Sequence, residues 1–143
     1  MLAFVVDADS DHRVMVGISL AFLGYEVFQF ADGAEAVAAA QSVIPSLVIA
    51  EVLTPGSPLG QDGIDVLAAI QHCHRRCRLI AMLQTPEAPS GTLRAAWAHR
   101  GVDAALAKPV DQSALSSVIL KLREEAARPR EIDAPTLVPV FGK

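Results

Sequence analysis

Short apolar runs alternate along the chain with segments whose apolar residues recur at helical spacing. Such runs, apolar throughout and only a strand in length, are typical of strands buried on both faces of a parallel sheet. The predicted strands are Leu2–Val6, Tyr25–Phe30, Leu47–Glu51, Leu79–Leu83 and Val102–Ala107. A sheet of this kind needs helices on both sides to cover it.

The segments between and after the runs supply those helices. The predicted helices are Ser10–Leu23, Gly33–Val43, Ile64–Cys73, Thr92–His99 and a last one that follows Asp111. Met15, Ile18 and Phe22 share one face of the first helix, so we expect that face to pack on the sheet. Regular alternation of strand and helix predicts an α/β, doubly wound five-stranded parallel sheet with right-handed crossovers, in a single domain.

The last helix and the residues after it set the extent of the domain. Leu115, Val118, Ile119 and Leu122 form the apolar stripe of the helix. Residues 128–143 carry Pro129, Pro135 and Pro139 and no helical period. We therefore predict a domain over residues 1–126 and a C-terminal tail or linker over 127–143.

Composition and charge exclude several classes of function. Of the 143 residues, 52% are hydrophobic and 20% charged, which is typical of a folded globular protein. A formal net charge of −4 gives no electrostatic basis for binding nucleic acid. No apolar stretch approaches the roughly 20 residues of a membrane span, and no secretory signal precedes the first strand. We expect a soluble cytoplasmic protein that binds neither nucleic acid nor membrane.

Cys73 and Cys77 lie in or beside one predicted helix together with His72 and His74. A zinc site usually draws its ligands from two separated elements. The cluster is therefore interpreted as a helix C-terminus with one buried Cys, and no metal is expected there. His12 is predicted to lie at the surface.

Charged residues end three of the predicted strands. Asp7 follows the first strand, Glu51 ends the third and Lys108 follows the fifth. The carboxyl ends of parallel strands meet at one edge of the sheet, where such folds carry their sites. These residues predict a small charged pocket.

Short motifs identify a resemblance. In order along the chain they are Val5-Val6-Asp7, Gly24-Tyr25-Glu26-Val27, Asp32-Gly33, Asp62-Gly63, Gly101 and Lys108-Pro109. Over residues 1–125 the chain resembles the receiver domains of two-component response regulators, which have a flavodoxin-like fold. The resemblance implies phosphorelay signal transduction, in which a carboxylate accepts a phosphoryl group from a histidine kinase with the help of Mg²⁺.

The residues at the family's functional positions depart from its pattern. The resemblance places Asp7 at the first acid, Ala8 at the second, metal-contacting acid and Glu51 at the phosphoacceptor. It places Lys108 at the phosphate-contacting lysine. The hydroxyl position falls on Gln84, with Thr85 next to it, and the aromatic switch position is Ala105.

These departures from the family's pattern disfavour phosphotransfer. Asp7, Glu51 and Lys108 sum to a charge of about −1 where the family has about −2, and Ala8 supplies no ligand oxygen, so we expect low affinity for Mg²⁺. The carboxylate of Glu51 reaches roughly 1.5 Å further than that of Asp. We expect it to form an ion pair with Lys108, either as a structural charge or as a partial mimic of phosphoaspartate.

The sequence thus predicts a degenerate receiver, or pseudo-receiver, that is not an enzyme and has no catalytic residues, metal or cofactor. Its expected partners are a sensor histidine kinase or another two-component protein. A homodimer would use the face made by the fourth and fifth predicted helices and the fifth strand. The alternative is a working phosphoacceptor receiver that uses Mg²⁺. A flavodoxin-like cofactor binder is disfavoured because the loop after the first strand, residues 7–11, is acidic.

Overall fold

The computed structural model describes residues 1–52, 62–84 and 101–126. Its five strands are β1 (Leu2–Val6), β2 (Glu26–Phe30), β3 (Leu47–Val52), β4 (Arg78–Leu83) and β5 (Ala104–Ala107). All neighbouring strands are parallel, in the order β2-β1-β3-β4-β5. This is the doubly wound order of flavodoxin-like folds, and it confirms the predicted fold class.

The described helices are α1 (Ser10–Phe22), α2 (Gly33–Ala39), α3 (Asp62–Cys73) and α4 (Gln112–Ala126). The predicted helix Thr92–His99 and residues 127–143 lie outside the described residues. The label α4 therefore belongs to the predicted helix that follows Asp111. α2 is shorter than predicted: it ends at Ala39 and a turn follows it. No helix of the described ranges is long and apolar enough to cross a membrane.

Side-chain oxygens cap three helices at their amino ends. Asp9 accepts hydrogen bonds from the backbone N–H groups of Asp11 and His12 at the start of α1. Asp32 accepts from Glu35 in α2, and Asp111 accepts from Ala114 in α4. Each cap stabilises its helix by about 1 kcal/mol.

A separate apolar core lies on each side of the sheet, because successive residues of a strand face opposite ways. The core beside α2 and α3 includes Phe4, Val48, Leu67 and Ile70. The core beside α1 and α4 includes Val5, Ile49, Leu20, Leu115 and Ile119. β1 and residues Leu47–Ala50 of β3 are covered from both sides, which explains their unbroken apolar sequences.

The prediction that Met15, Ile18 and Phe22 of α1 pack on the sheet is wrong. Met15, Ile18 and Phe22 are 42%, 54% and 80% exposed, whereas Val16 and Leu20 are buried. Two stripes of this helix have helical spacing, and the buried one runs through His12, Val16 and Leu20.

The close approach of α1 to β2 explains why the second stripe turns inward. Gly17 lies on the inward side, and a Cβ there would sit 3.1 Å from Gln29 Nε2 of β2. His12 is buried as well, contrary to its predicted place at the surface, because it bonds to Asp7 at the end of β1. The helix is therefore oriented so that His12 reaches the end of β1, and its most apolar face is left exposed.

This rotation of α1 gives a direct mutational test. Leu20→Ala opens a cavity in the core and should lower the free energy of unfolding by about 2–5 kcal/mol. Phe22→Ala, two residues away, removes an exposed ring and should change it by about 0.5 kcal/mol or less. Urea unfolding of the two variants measures both values, and a larger loss for Phe22→Ala would show that the predicted face is the packed one.

Candidate functional site

Four of the predicted site residues meet at the carboxyl edge of the sheet. Lys108 Nζ donates to Asp7 Oδ1 at 3.0 Å and to Glu51 Oε2 at 2.5 Å. Gln84 Nε2 donates to the same oxygen of Glu51 at 3.0 Å. The ion pair expected between Glu51 and Lys108 is present, and Lys108 bridges two carboxylates.

Strand register explains why these side chains converge. Glu51 of β3 is paired with Met82 of β4, and Leu83 is paired with Ala107 of β5. Asp7 follows β1, whose last residue Val6 is paired with Ala50 of β3. Each functional side chain therefore lies within a residue or two of the same sheet edge.

The pocket is largely shielded from solvent. The Asp7 side chain is 0% exposed, that of Lys108 12% and that of Glu51 13%. A buried carboxylate destabilises the fold unless it is paired and hydrogen-bonded. Lys108 meets this requirement for both acids, and the three groups sum to a charge of about −1.

Asp7 is hydrogen-bonded at both carboxylate oxygens. Oδ1 accepts from the Asp9 N–H at 2.9 Å as well as from Lys108. Oδ2 lies 2.6 Å from His12 Nδ1. Arg13 Nη1 donates to the backbone oxygen of Asp7 at 2.7 Å. The first acid of the pocket is thus fixed in place by the start of α1.

His12 is the site residue that the sequence prediction missed. Its Nε2 lies 3.1 Å from the N–H of Val110, in the connection between β5 and α4. The signal that would have found it is its place in the stripe with Val16 and Leu20, where an inward ring would reach the strand end. The stripe formed by Met15, Ile18 and Phe22 is more apolar, and the sequence therefore predicts it as the packing face.

The contacts in the pocket shift two pKa values. Burial alone would raise the pKa of Asp7, but the hydrogen bonds from His12, the Asp9 N–H and Lys108 outweigh it and lower that pKa below its usual value. Burial alone would lower the pKa of Lys108, but its bonds to Glu51 and Asp7 raise it. Both groups therefore stay charged at neutral pH.

Ala8, Gln84 and Ala105, at three of the other predicted positions, lie within the described residues. Ala8 is exposed and offers no side-chain oxygen to the pocket. Ala105 of β5 is half-buried and packs against the core beside α2 and α3. Gln84 is exposed but bonded to Glu51, and Thr85 lies outside the described residues. The Lys108–Pro109 peptide is cis.

The Cys and His cluster after α3 makes contacts of its own. His74 Nε2 lies 2.7 Å from the backbone oxygen of Ala40. Cys77 is buried and Cys73 exposed. The cluster thus ties the end of α3 to the end of α2.

The donor set of the pocket does not fit Mg²⁺, the ion that the receiver resemblance implies. Magnesium requires oxygen ligands in near-octahedral geometry. Both carboxylate oxygens of Asp7 are hydrogen-bonded, Ala8 has no side-chain ligand atom, and the ammonium of Lys108 lies between the two acids. Among the described residues no group of three or more His, Cys, Asp or Glu side chains is placed to hold a metal ion.

Comparisons with solved structures return receiver domains. The chemotaxis protein CheY4 of Vibrio cholerae is 24% identical, with 85% of this chain and 97% of that one covered at a TM-score of 0.70. The receiver domain of NtrX from Brucella abortus is 26% identical, covering 85% and 98% at 0.68. A CheY-like response regulator receiver domain protein of Methanospirillum hungatei is 22% identical, covering 87% and 94% at 0.70.

No protein-family model and no curated protein matches the chain. The structural matches cover nearly the whole of each neighbour, and the strands and helices of the described residues match the receiver fold. Fold alone does not fix activity, which depends on the residues of the site.

The pKa shifts predict how stability changes with pH. The pKa of Asp7 is lower in the folded state than its ordinary 3.8, so its contribution is present above that pH and is lost as pH falls through the folded value. The pKa of Lys108 is higher than its ordinary 10.5, so its contribution is present below that pH and is lost as pH rises through the folded value.

We therefore expect the part of the unfolding free energy that these two groups supply to be constant between those limits and to fall outside them. Asp7→Asn should lower the plateau and weaken the decline on the acid side. Asp11→Asn, at an exposed aspartate of the same segment, is the matched control and should do neither. Urea unfolding across a pH series measures this, and an unchanged acid limb in Asp7→Asn would contradict the assigned role of Asp7.

Proposed function

We propose that this chain is a receiver-like module of two-component signal transduction that acts by protein–protein interaction, with phosphotransfer lost. The observation that supports this most strongly is the position of Lys108 Nζ, which is hydrogen-bonded to Asp7 and Glu51 at once. The cation that would meet an incoming phosphoryl group is already neutralised. The module then works by binding and not by catalysis.

Phosphoryl transfer depends on positioning and on neutralising the charge of the phosphate. Glu51 Oε2 accepts hydrogen bonds from both Lys108 and Gln84, which hold that oxygen in place. A misplacement of about 1 Å alone can slow a reaction ~100-fold. The missing acid at Ala8 removes a second requirement, the metal ligand.

The contact between Glu51 and Lys108 also suggests what state the module adopts. In a working receiver the lysine would contact the phosphoryl oxygens of the modified aspartate. Glu51 presents Lys108 with a carboxylate of charge −1, against nearly −2 for a phosphoryl group. Gln84 adds a second donor to that carboxylate. A lysine already paired with a carboxylate of the chain supports a module with one resident state, regulated by partner binding or by abundance.

The proposed partners are a sensor histidine kinase or another two-component protein. Of the face proposed for contact or homodimer formation, the structure describes β5 and α4. The third part, the predicted helix Thr92–His99 with Trp97, lies outside the described residues. On α4, Leu120 is 54% exposed and offers an apolar contact on the outer side.

One observation favours the second candidate, a phosphoacceptor receiver that uses Mg²⁺. Glu51 Oε1, unlike Oε2, makes no hydrogen bond to the described residues. This oxygen retains the lone pairs that a nucleophile needs. Metal binding and transfer would then require Lys108 to move away from Asp7.

Acetyl phosphate separates the two candidates. The full chain is incubated with acetyl phosphate and Mg²⁺ beside a working receiver as the positive control, and intact masses are recorded over time. We expect an adduct on the control and none on this chain. A phosphoryl adduct that disappears in Glu51→Gln would establish the second candidate and overturn the first.

A further inference from the structure

His12 and Asp7 are the two buried polar or charged side chains among the described residues. His12 is only 7% exposed and lies between the end of β1 and the connection from β5 to α4. Buried polar groups in stable proteins are hydrogen-bonded, and here both ring nitrogens are used. The proposed function requires neither the contact of His12 with Asp7 nor its contact with Val110.

The contacts of the ring fix its tautomer. The backbone N–H of Val110 can only donate, so His12 Nε2, 3.1 Å away, accepts. The ring proton is then on Nδ1, which donates to Asp7 Oδ2 at 2.6 Å. The imidazole is a bridge with its donor toward Asp7 and its acceptor toward Val110.

This bridge occupies the carboxylate oxygen that Lys108 leaves untouched. Asp7 Oδ1 takes the Asp9 N–H and Lys108, while Oδ2 takes His12. A divalent cation at Asp7 would have to share Oδ2 with the His12 N–H or displace a donor from Oδ1. Val110 follows Lys108 by two residues, so the same ring also holds the segment that positions the lysine.

We infer that His12 is the positioning residue that makes the pocket independent of a divalent cation. Its N–H fills a place on Asp7 that a metal ion would use, and its Nε2 ties down the connection that carries Lys108. The inference rests on the proposed function, because it explains how a receiver fold holds its acid in place without Mg²⁺. It goes further by assigning part of the loss of metal binding to His12 and not to Ala8 alone.

Direct metal binding tests this without any measurement of phosphotransfer. Mn²⁺, a paramagnetic substitute for Mg²⁺, is titrated into four forms of the full chain: the wild type, Ala8→Asp, His12→Leu and Ala8→Asp/His12→Leu. The concentration of free Mn²⁺ is measured by electron paramagnetic resonance. Met15→Leu, on the exposed side of the same helix, is the matched control. Circular dichroism establishes that each variant is folded.

We expect no binding by the wild type or the control at millimolar Mn²⁺. The double variant should bind at least about tenfold more tightly than Ala8→Asp, which is the factor associated with one hydrogen bond to a charged group. Equal affinity of Ala8→Asp and the double variant would overturn the role of His12. That outcome would leave the proposed function standing, since acetyl phosphate labelling of the wild type tests it separately.

Nuclear magnetic resonance of chains that retain His12 covers the case in which His12→Leu does not fold. Long-range ¹H–¹⁵N correlation in the wild type should show the proton on Nδ1. In Ala8→Asp the same ring signals should persist, with weak binding of Mg²⁺. A proton on Nε2, or tight Mg²⁺ binding with the ring signals unchanged, would refute the inference.

Discussion

The ammonium of Lys108 lies between the carboxylates of Asp7 and Glu51, and the rest of the pocket depends on that arrangement. Two acids at this depth would repel one another and would be poorly solvated. Removing one partner of a buried ion pair typically destabilises a protein by about 3–5 kcal/mol. The lysine therefore has a structural role here whatever else it does, and it performs that role with the same atom that a receiver uses to contact phosphate.

The pairing also constrains the elements around the pocket. Asp7 needs a partner for its second oxygen, and His12 provides one from the first turn of α1. To bring His12 inward, α1 turns Val16 and Leu20 to the sheet and leaves Phe22 exposed. The same ring reaches Val110, so the segments after β1 and β5 are joined by side-chain contacts as well as by the sheet. Charge at a strand end thus determines the rotation of a helix.

The sequence was sufficient to predict the sheet and the meeting of Asp7, Glu51 and Lys108, because parallel strands place their carboxyl ends at one edge. It was also sufficient to expect the contact between Glu51 and Lys108, since a longer acid beside a lysine has an obvious partner. It was insufficient for α1. Periodicity gives the spacing of a stripe but not which of two stripes packs, and the deciding contact joins residues distant in the chain, His12 and Val110.

On this account Lys108, paired with Asp7 and Glu51, leaves no site for Mg²⁺ in the pocket. The most direct test is a crystal structure of the full chain, from crystals grown in saturating Mg²⁺. We expect Lys108 Nζ to stay hydrogen-bonded to Asp7 and Glu51, His12 to stay between Asp7 and the N–H of Val110, and no metal density to appear beside Asp7. An octahedral Mg²⁺ bound to Asp7, with Lys108 displaced from it, would contradict the account.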